Sequence, residues 1–329
     1  MRKIYLCSFL LISIFLLLVA CANNKNMDES YVSEEILLPK ELKELEDVCI
    51  MKEDVVRVAG FSNTNYGKVW ESNNNGQNWK EIKTFIKDID IQSKKNIHTE
   101  KCVFLSPNGE IFYNLSQYKH SKLIKSKNYI IKEGKKSELM INLPNTQTYN
   151  NTVYDVKFLQ NGNLIVRDIT GKLYQINREN GNIICEYISE DGNTYMTDFT
   201  ICGNKIYTLD SISNKIHAFS VSTAKVLNLE PLVKKFSDAI NNEGNFEFDR
   251  QRMCAYVDKE TGQLTILYID KFGLRRIAES KQECLIEGKN MCLADNDVNI
   301  YSLEMSKKGF YLIARSTKGS KLYFYTKQN

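Results

Sequence analysis

The sequence predicts an all-β fold in which one small unit recurs along the chain. Three observations predict it. Apolar stretches rich in Val, Ile, Tyr and Phe are short and partly alternating, as half-buried strands require. They are separated by turns carrying Asn-Gly, Thr-Gly or Lys-Gly, where glycine supplies the positive φ of a tight hairpin. And the same order of strand, glycine turn, strand, polar turn and strand returns in segment after segment.

Four copies align well: CVFLSPNGEIFYNLSQYKHSKLI (102–124), VKFLQNGNLIVRDITGKLYQI (156–176), FTICGNKIYTLDSISNKIHAFSV (199–221) and LEMSKKGFYLIARSTKGSKLYFY (303–325). CIMKEDVVRVAGFSNTNYGKVWES (49–72) and AYVDKETGQLTILYIDKFGLRRIAE (255–279) are weaker ones. The second strands of these units fall near residues 57, 111, 164, 206, 264 and 311, about 42 to 58 residues apart. That period resembles the blade repeat of β-propellers, in which each four-stranded sheet buries its faces against its neighbours. A stack of two β-sandwiches competes, but it has no need of the same unit six times. The resemblance implies a β-propeller of six four-stranded blades, or seven if the longest interval conceals one. The chain ends in KLYFYTKQN, a third-type strand, so a fourth must come from elsewhere. EEILLPKEL (34–42) is the segment expected to complete the last blade and lock the ring.

One turn is more specific. SNNNGQNW (72–79) joins two strand-like runs and ends in one of the two tryptophans. It resembles the Asp-box of BNR repeats, Ser-x-Asp-x-Gly-x-x-Trp, with Ser72, Asn74, Gly76 and Trp79 in those places and Asn where Asp is usual. The resemblance implies a structural hairpin between the third and fourth strands of a blade. Asn74 would accept backbone N–H groups as in an Asx turn, Gly76 would take a conformation closed to other residues, and Trp79 would anchor the turn between blades.

The N-terminus carries a different signal. Arg2 and Lys3 precede an uncharged apolar run through Ala20, short enough for a signal peptide. It ends in Leu18-Val19-Ala20-Cys21, which resembles the lipobox of bacterial lipoproteins. That resemblance implies cleavage after residue 20, a diacylglycerol on Cys21, a tether over 21–45 and a propeller over 46–329. Two acyl chains would hold the protein on a membrane, each buried methylene contributing roughly 0.8 kcal/mol.

Composition excludes less than it permits. The 44 Lys and Arg nearly balance the 40 Asp and Glu, the more so once Arg2 and Lys3 are removed. A nucleic-acid partner would call for a basic excess or stripe, so lysine-rich KSKNYIIKEGKK (125–136) reads as a solvated strand edge and loop. Cys49, Cys102, Cys185, Cys202, Cys254, Cys284 and Cys292 remain after export and acylation, an odd number without C-x-x-C spacing. Several precede apolar strands and read as small core residues. Tyr311, Tyr323, Phe324 and Tyr325 lie within strands and read as blade core.

For chemistry the candidates are few. Arg57, Arg167 and Arg315 each lie in a second strand, and Arg167 and Arg315 are equivalent by repeat alignment. Arginines so placed could clamp a carboxylate bidentately, as the BNR-type sialidases do with a triad. Yet their Arg-Ile-Pro motif is absent here, and solvated strand-end arginines are the plainer reading. His98, His120 and His217 form no metal-binding pattern. Asp168, Asp210 and Asp270 near second-strand ends read as turn formers. No catalytic set, metal site or cofactor is expected, and the chain is expected to be a monomer. The sequence points to a surface-anchored module binding a protein or glycan; a divergent glycan hydrolase is the alternative.

Overall fold

The computed structural model describes residues 31–327, apart from 53–54, 63–66, 85–96, 121, 145–152, 190–195, 211–214, 228–251, 258–261, 271–272, 279–280, 288–290 and 292–298. The segment expected to be a signal sequence, the Leu18–Cys21 motif and Cys292 therefore lie outside the described residues. So do the side chains of Asp210, Asp270 and Cys284.

The described strands form six antiparallel sheets. Blade 1 is β2 (Leu42–Lys52), β3 (Val55–Ser62), β4 (Gly67–Ser72) and β5 (Lys80–Thr84). Blade 2 is β6 (Ile97–Leu105), β7 (Ile111–Lys119), β8 (Lys122–Lys132) and β9 (Lys135–Leu139). Blade 3 is β10 (Val153–Phe158), β11 (Leu164–Asp168), β12 (Leu173–Ile176) and β13 (Ile183–Tyr187). Blade 4 has β14 (Met196–Cys202), β15 (Lys205–Asp210) and β16 (Lys215–Ser220). A bridge from Phe219 to Val226 begins the pairing of a further segment on β16. Blade 5 is β17 (Arg252–Val257), β18 (Leu264–Asp270), β19 (Gly273–Ala278) and β20 (Lys281–Glu287). Blade 6 is β21 (Asn299–Met305), β22 (Gly309–Ser316) and β23 (Gly319–Lys327), completed by β1 (Tyr31–Ile36).

β1 pairs antiparallel with β23, from Tyr31 opposite Lys327 to Ile36 opposite Leu322. The chain's first described strand thus finishes its last blade. The expected closing segment supplies it, shifted toward the N-terminus, so the ring begins at Tyr31, within the stretch read as a tether. The expected second strands are β3, β7, β11, β15, β18 and β22.

Packing explains why those second strands carry apolar residues on both faces. Leu164 and Val166 of β11 face Phe112, Ile130 and Leu139 of blade 2, while Ile165 between them faces Phe199 and Ile206 of blade 4. A strand buried on both faces has no polar side to alternate with. Six apolar clusters lie at the six blade junctions, and one joins Tyr311 and Ile313 of blade 6 to Val56, Val58 and Trp70 of blade 1. The ring is closed by the same kind of contact that builds it. Each fully buried Leu, Ile or Phe in these seams contributes roughly 1.5–3 kcal/mol. Tyr311, Phe324 and Tyr325 are buried in two of them, and Tyr323 packs on one.

The Ser72–Trp79 turn connects β4 to β5, the third and fourth strands of its blade. Ser72 Oγ accepts Gly76 N–H at 2.8 Å, and Asn74 Oδ1 accepts Asn78 N–H at 3.0 Å. Gly76 has φ +88°, and a Cβ there would lie 2.5 Å from Ile36 Cγ2. Trp79 Nε1–H donates to the Leu37 carbonyl at 2.9 Å, pinning blade 1 to the end of the closing strand.

Candidate site: the central channel

The innermost strands β2, β6, β10, β14, β17 and β21 surround a cavity of about 1300 Å³. All six run the same way, so each blade presents the start of its inner strand at one rim and the end at the other. We call these the leading and trailing rims. Second strands run back, so their ends lie at the leading rim.

Toward the ends of the inner strands the channel is braced. Lys157 Nζ of blade 3 lies 3.9 Å from Glu304 of blade 6, its opposite in a ring of six. Both side chains keep about a third of their surface open (31% and 32%). Burial works against the Lys157 charge, but Glu304, Asp155, Asp198 and Asp47 together hold its amine above the ordinary lysine range. Burial in turn raises Glu304 and Asp198, against the pull of Lys157 on both and of Arg252 and Arg167 on Asp198. Lining the same space, the thiols of Cys49, Cys102 and Cys254 are pushed up by burial and stay protonated at neutral pH. The five described cysteines, which include Cys185 and Cys202, are all free.

Inner-strand carboxylates also tie blade to blade. Asp47 accepts Leu105 N–H of blade 2 at 2.7 Å and the Ser302 hydroxyl of blade 6 at 3.2 Å. Asp198 accepts Met253 N–H of blade 5 at 2.7 Å. Burial pushes Asp47 up to about 7, against the Leu105 hydrogen bond that holds it down. Sequence patterns do not reveal these residues, because each is one acidic residue in a strand whose neighbours lie some 50 to 250 residues away.

The three arginines do not converge. Arg57, near the start of β3, is at the trailing side, where Nε meets Glu71 at 2.8 Å and a Cβ on Gly109 would come within 2.7 Å of Nη1. Arg167 and Arg315 end β11 and β22 at the leading rim, in opposite blades. Each stacks on a tyrosine of its own inner strand: Arg167 on Tyr154, 4.5 Å from the ring centre, and Arg315 on Tyr301, 3.9 Å away. Both tyrosines occupy a β-bulge, which re-aims a side chain out of the ladder. Arg315 is neutralised by Glu46 at 2.6 Å. Of the remaining candidates, Asp168 is a turn former that accepts Thr170 and Lys172 N–H groups. His98 is exposed (71%) and 3.4 Å from Glu100, His120 is exposed with φ +49°, and His217 packs on Phe219.

No family model matches the sequence, and no curated protein is similar to it. Among solved structures, the chain is similar to a catalytically inactive variant of virginiamycin B lyase from Staphylococcus aureus with quinupristin. The TM-score is 0.52 at 11% identity, over 90% of this chain and 99% of that one. It is also similar to YCF48 bound to a peptide, with TM-score 0.48, 11% identity and 91% and 96% coverage. For the WD40 β-propeller domain of Doa1 the values are 0.46, 12%, 89% and 96%. At 11% identity the likeness to the lyase structure is one of architecture; the six sheets and the closed ring of blade junctions make the chain a six-bladed β-propeller.

Proposed function

We propose that the chain is a membrane-anchored extracytoplasmic lipoprotein whose propeller is a binding or assembly module for a surface protein or glycan. The observation that carries this reading is the leading rim. There, Tyr154 (49% exposed) and Tyr301 stand on opposite blades, each backed by a guanidinium, above a polar cavity. Aromatic faces backed by a cation suit recognition, because tyrosine offers a large amphipathic contact area at a low cost in side-chain entropy.

Hydrolysis of a glycan by a divergent BNR-type site finds less support. A sialidase-like clamp needs its arginines together, and Arg57 is on the other side of the ring while Arg315 is engaged by Glu46. Anchoring rests on the Leu18–Cys21 motif. The Asp-box assignment rests on Ser72, Asn74, Gly76 and Trp79, and the hydrogen bonds of that turn support it. Fold does not dictate function, so the test is direct. With Cys21→Ala, the protein should leave the membrane fraction. The soluble variant, used as bait on cross-linked surface material, should capture a partner that Tyr154→Ala/Tyr301→Ala loses. Retention on membranes sinks the anchor, and capture indifferent to both tyrosines sinks the rim.

A further inference from the structure

Two of the six blade junctions are built alike, and one lacks a part. In blade 6, Arg315 stacks on Tyr301, and its Nη2 donates to the Leu45 carbonyl of the next blade at 2.7 Å. In blade 3, Arg167 stacks on Tyr154, and its Nη1 donates to the Met196 carbonyl of the next blade at 3.2 Å. Leu45-Glu46-Asp47 and Met196-Thr197-Asp198 correspond residue by residue. Each inner strand has a register shift across its middle residue, and each aspartate accepts a backbone N–H from the following blade. Even the amides before the shift match: Leu45 N–H finds Ser320 Oγ, and Met196 N–H finds the Gly171 carbonyl.

Two residues differ: the middle one, and Ser320, the β23 partner of Arg315, whose counterpart opposite Arg167 is Leu173 of β12. Glu46 puts its carboxylate on Arg315 Nη2 at 2.6 Å, beside the Ser320 hydroxyl on Nε at 3.3 Å. Thr197 has no carboxylate to give, and its hydroxyl donates instead to the Leu209 carbonyl. Arg167 is 4% exposed, and among the described residues its Nε and Nη2 have no hydrogen-bond partner. Those two N–H groups lie side by side on one edge of the guanidinium. That edge takes a carboxylate through two parallel bonds. Buried donors left unmade are costly, and in the sister junction a hydroxyl and a carboxylate satisfy the same two donors.

We propose that the junction of blades 3 and 4 is a carboxylate-binding site, in which a carboxylate from outside the chain fills the Nε–Nη2 edge of Arg167, the edge that Glu46 and Ser320 fill together on Arg315. Tyr154 covers the guanidinium and, half-exposed on the cavity wall, is the side chain that must turn aside for entry. The site deepens the binding reading of the leading rim, and it does not depend on the lipid anchor. The carboxylate can come from a free small acid or from a glutamate on a partner.

Thermal unfolding with sodium acetate, against equal sodium chloride and sodium sulfate, tests the site. A second arm uses acetyl-Gly-Glu-Gly-amide. Acetate should raise the midpoint of the wild type, with the apparent dissociation constant weakened roughly tenfold or more in Arg167→Met. Thr197→Glu should abolish the response by supplying the carboxylate internally. Glu46→Thr should add a second responsive site. A response to acetate assigns a small acid, and a response to the peptide alone assigns a partner's glutamate; either carries the proposal. It is overturned if neither probe acts on the wild type or on Tyr154→Ala, if sulfate acts equally, or if Arg167→Met still responds. That outcome, alongside partner capture that needs Tyr154 and Tyr301, would remove the carboxylate site and keep the module.

Discussion

At the channel wall the carboxylate of Asp47 receives Leu105 N–H from one neighbouring blade and the Ser302 hydroxyl from the other. Replacing it by alanine leaves a buried amide without its acceptor, so Asp47→Ala should cost about 1–3 kcal/mol, read as a lowered denaturation midpoint. Asn keeps an acceptor for Leu105 and should cost less. The two variants also separate structure from charge. The folded state holds the Asp47 proton up to about 7, whereas an ordinary aspartate releases it near 3.8. The native protein therefore binds this proton more tightly than the unfolded chain does. Stability from this group falls as pH rises between those two values and is level above the higher one. Midpoints measured from about pH 5 to pH 8 should fall less steeply in Asp47→Asn than in the wild type. Some slope should remain, since burial raises Glu304 and Asp198 in the same direction. An unchanged slope would mean that Asp47 is already ionised throughout.

At the scale of the element, the third-to-fourth-strand turn is a docking device used in more than one blade. Gly76 in blade 1 faces Ile36, the last residue of the closing strand of blade 6. Gly181, in the matching turn of blade 3, comes so close to the Met140 backbone that an added Cβ would lie 1.8 Å from the carbonyl oxygen. Both glycines have positive φ, +88° and +73°. Gly76→Ala and Gly181→Ala each combine a strained backbone with a steric clash, and each should cost about 1–3 kcal/mol. Gly181→Ala should be the worse, because a carbonyl in its path yields less than a methyl group. Equal midpoints for both variants and the wild type would show that the turns do not hold the blades. The polar SNNNGQNW segment was legible as a turn because its side chains act locally. That its tryptophan pins a strand 42 residues away was not, since no local pattern encodes Leu37 as its acceptor.

For the whole molecule, closure is the weak point of a ring. A chain lacking residues before about position 40 loses β1, which leaves the β23 edge unpaired and uncovers Leu322 and Phe324. Loss of Ile36 alone would remove roughly 1.5–3 kcal/mol, and an open strand edge invites association. A chain starting at Tyr31 should unfold cooperatively as a monomer, and one starting at Lys40 should unfold at lower temperature and associate, as size-exclusion chromatography and calorimetry would record. Identical behaviour would mean that the ring closes without its N-terminal strand. The Lys157–Glu304 brace belongs to the same scale. Lys157→Met leaves Glu304, Asp155, Asp198 and Asp47 around a neutral side chain, and their mutual repulsion should lower the midpoint more at pH 8 than at about pH 5.

The sequence by itself determined the strands and the turns and narrowed the blades to six or seven. These depend on near neighbours: β-branched runs bounded by glycine turns, repeated every 42 to 58 residues. It also paired Arg167 with Arg315 as equivalent, since repeat alignment is a one-dimensional comparison. Only the tertiary structure decided what those arginines meet. Arg315 finds Glu46 some 269 residues away, Arg167 finds Thr197 in the same place, and Lys157 faces Glu304 across the channel. Such partners are set by curling a linear repeat into a closed ring, and ring closure brings together residues that no spacing rule along the chain can pair.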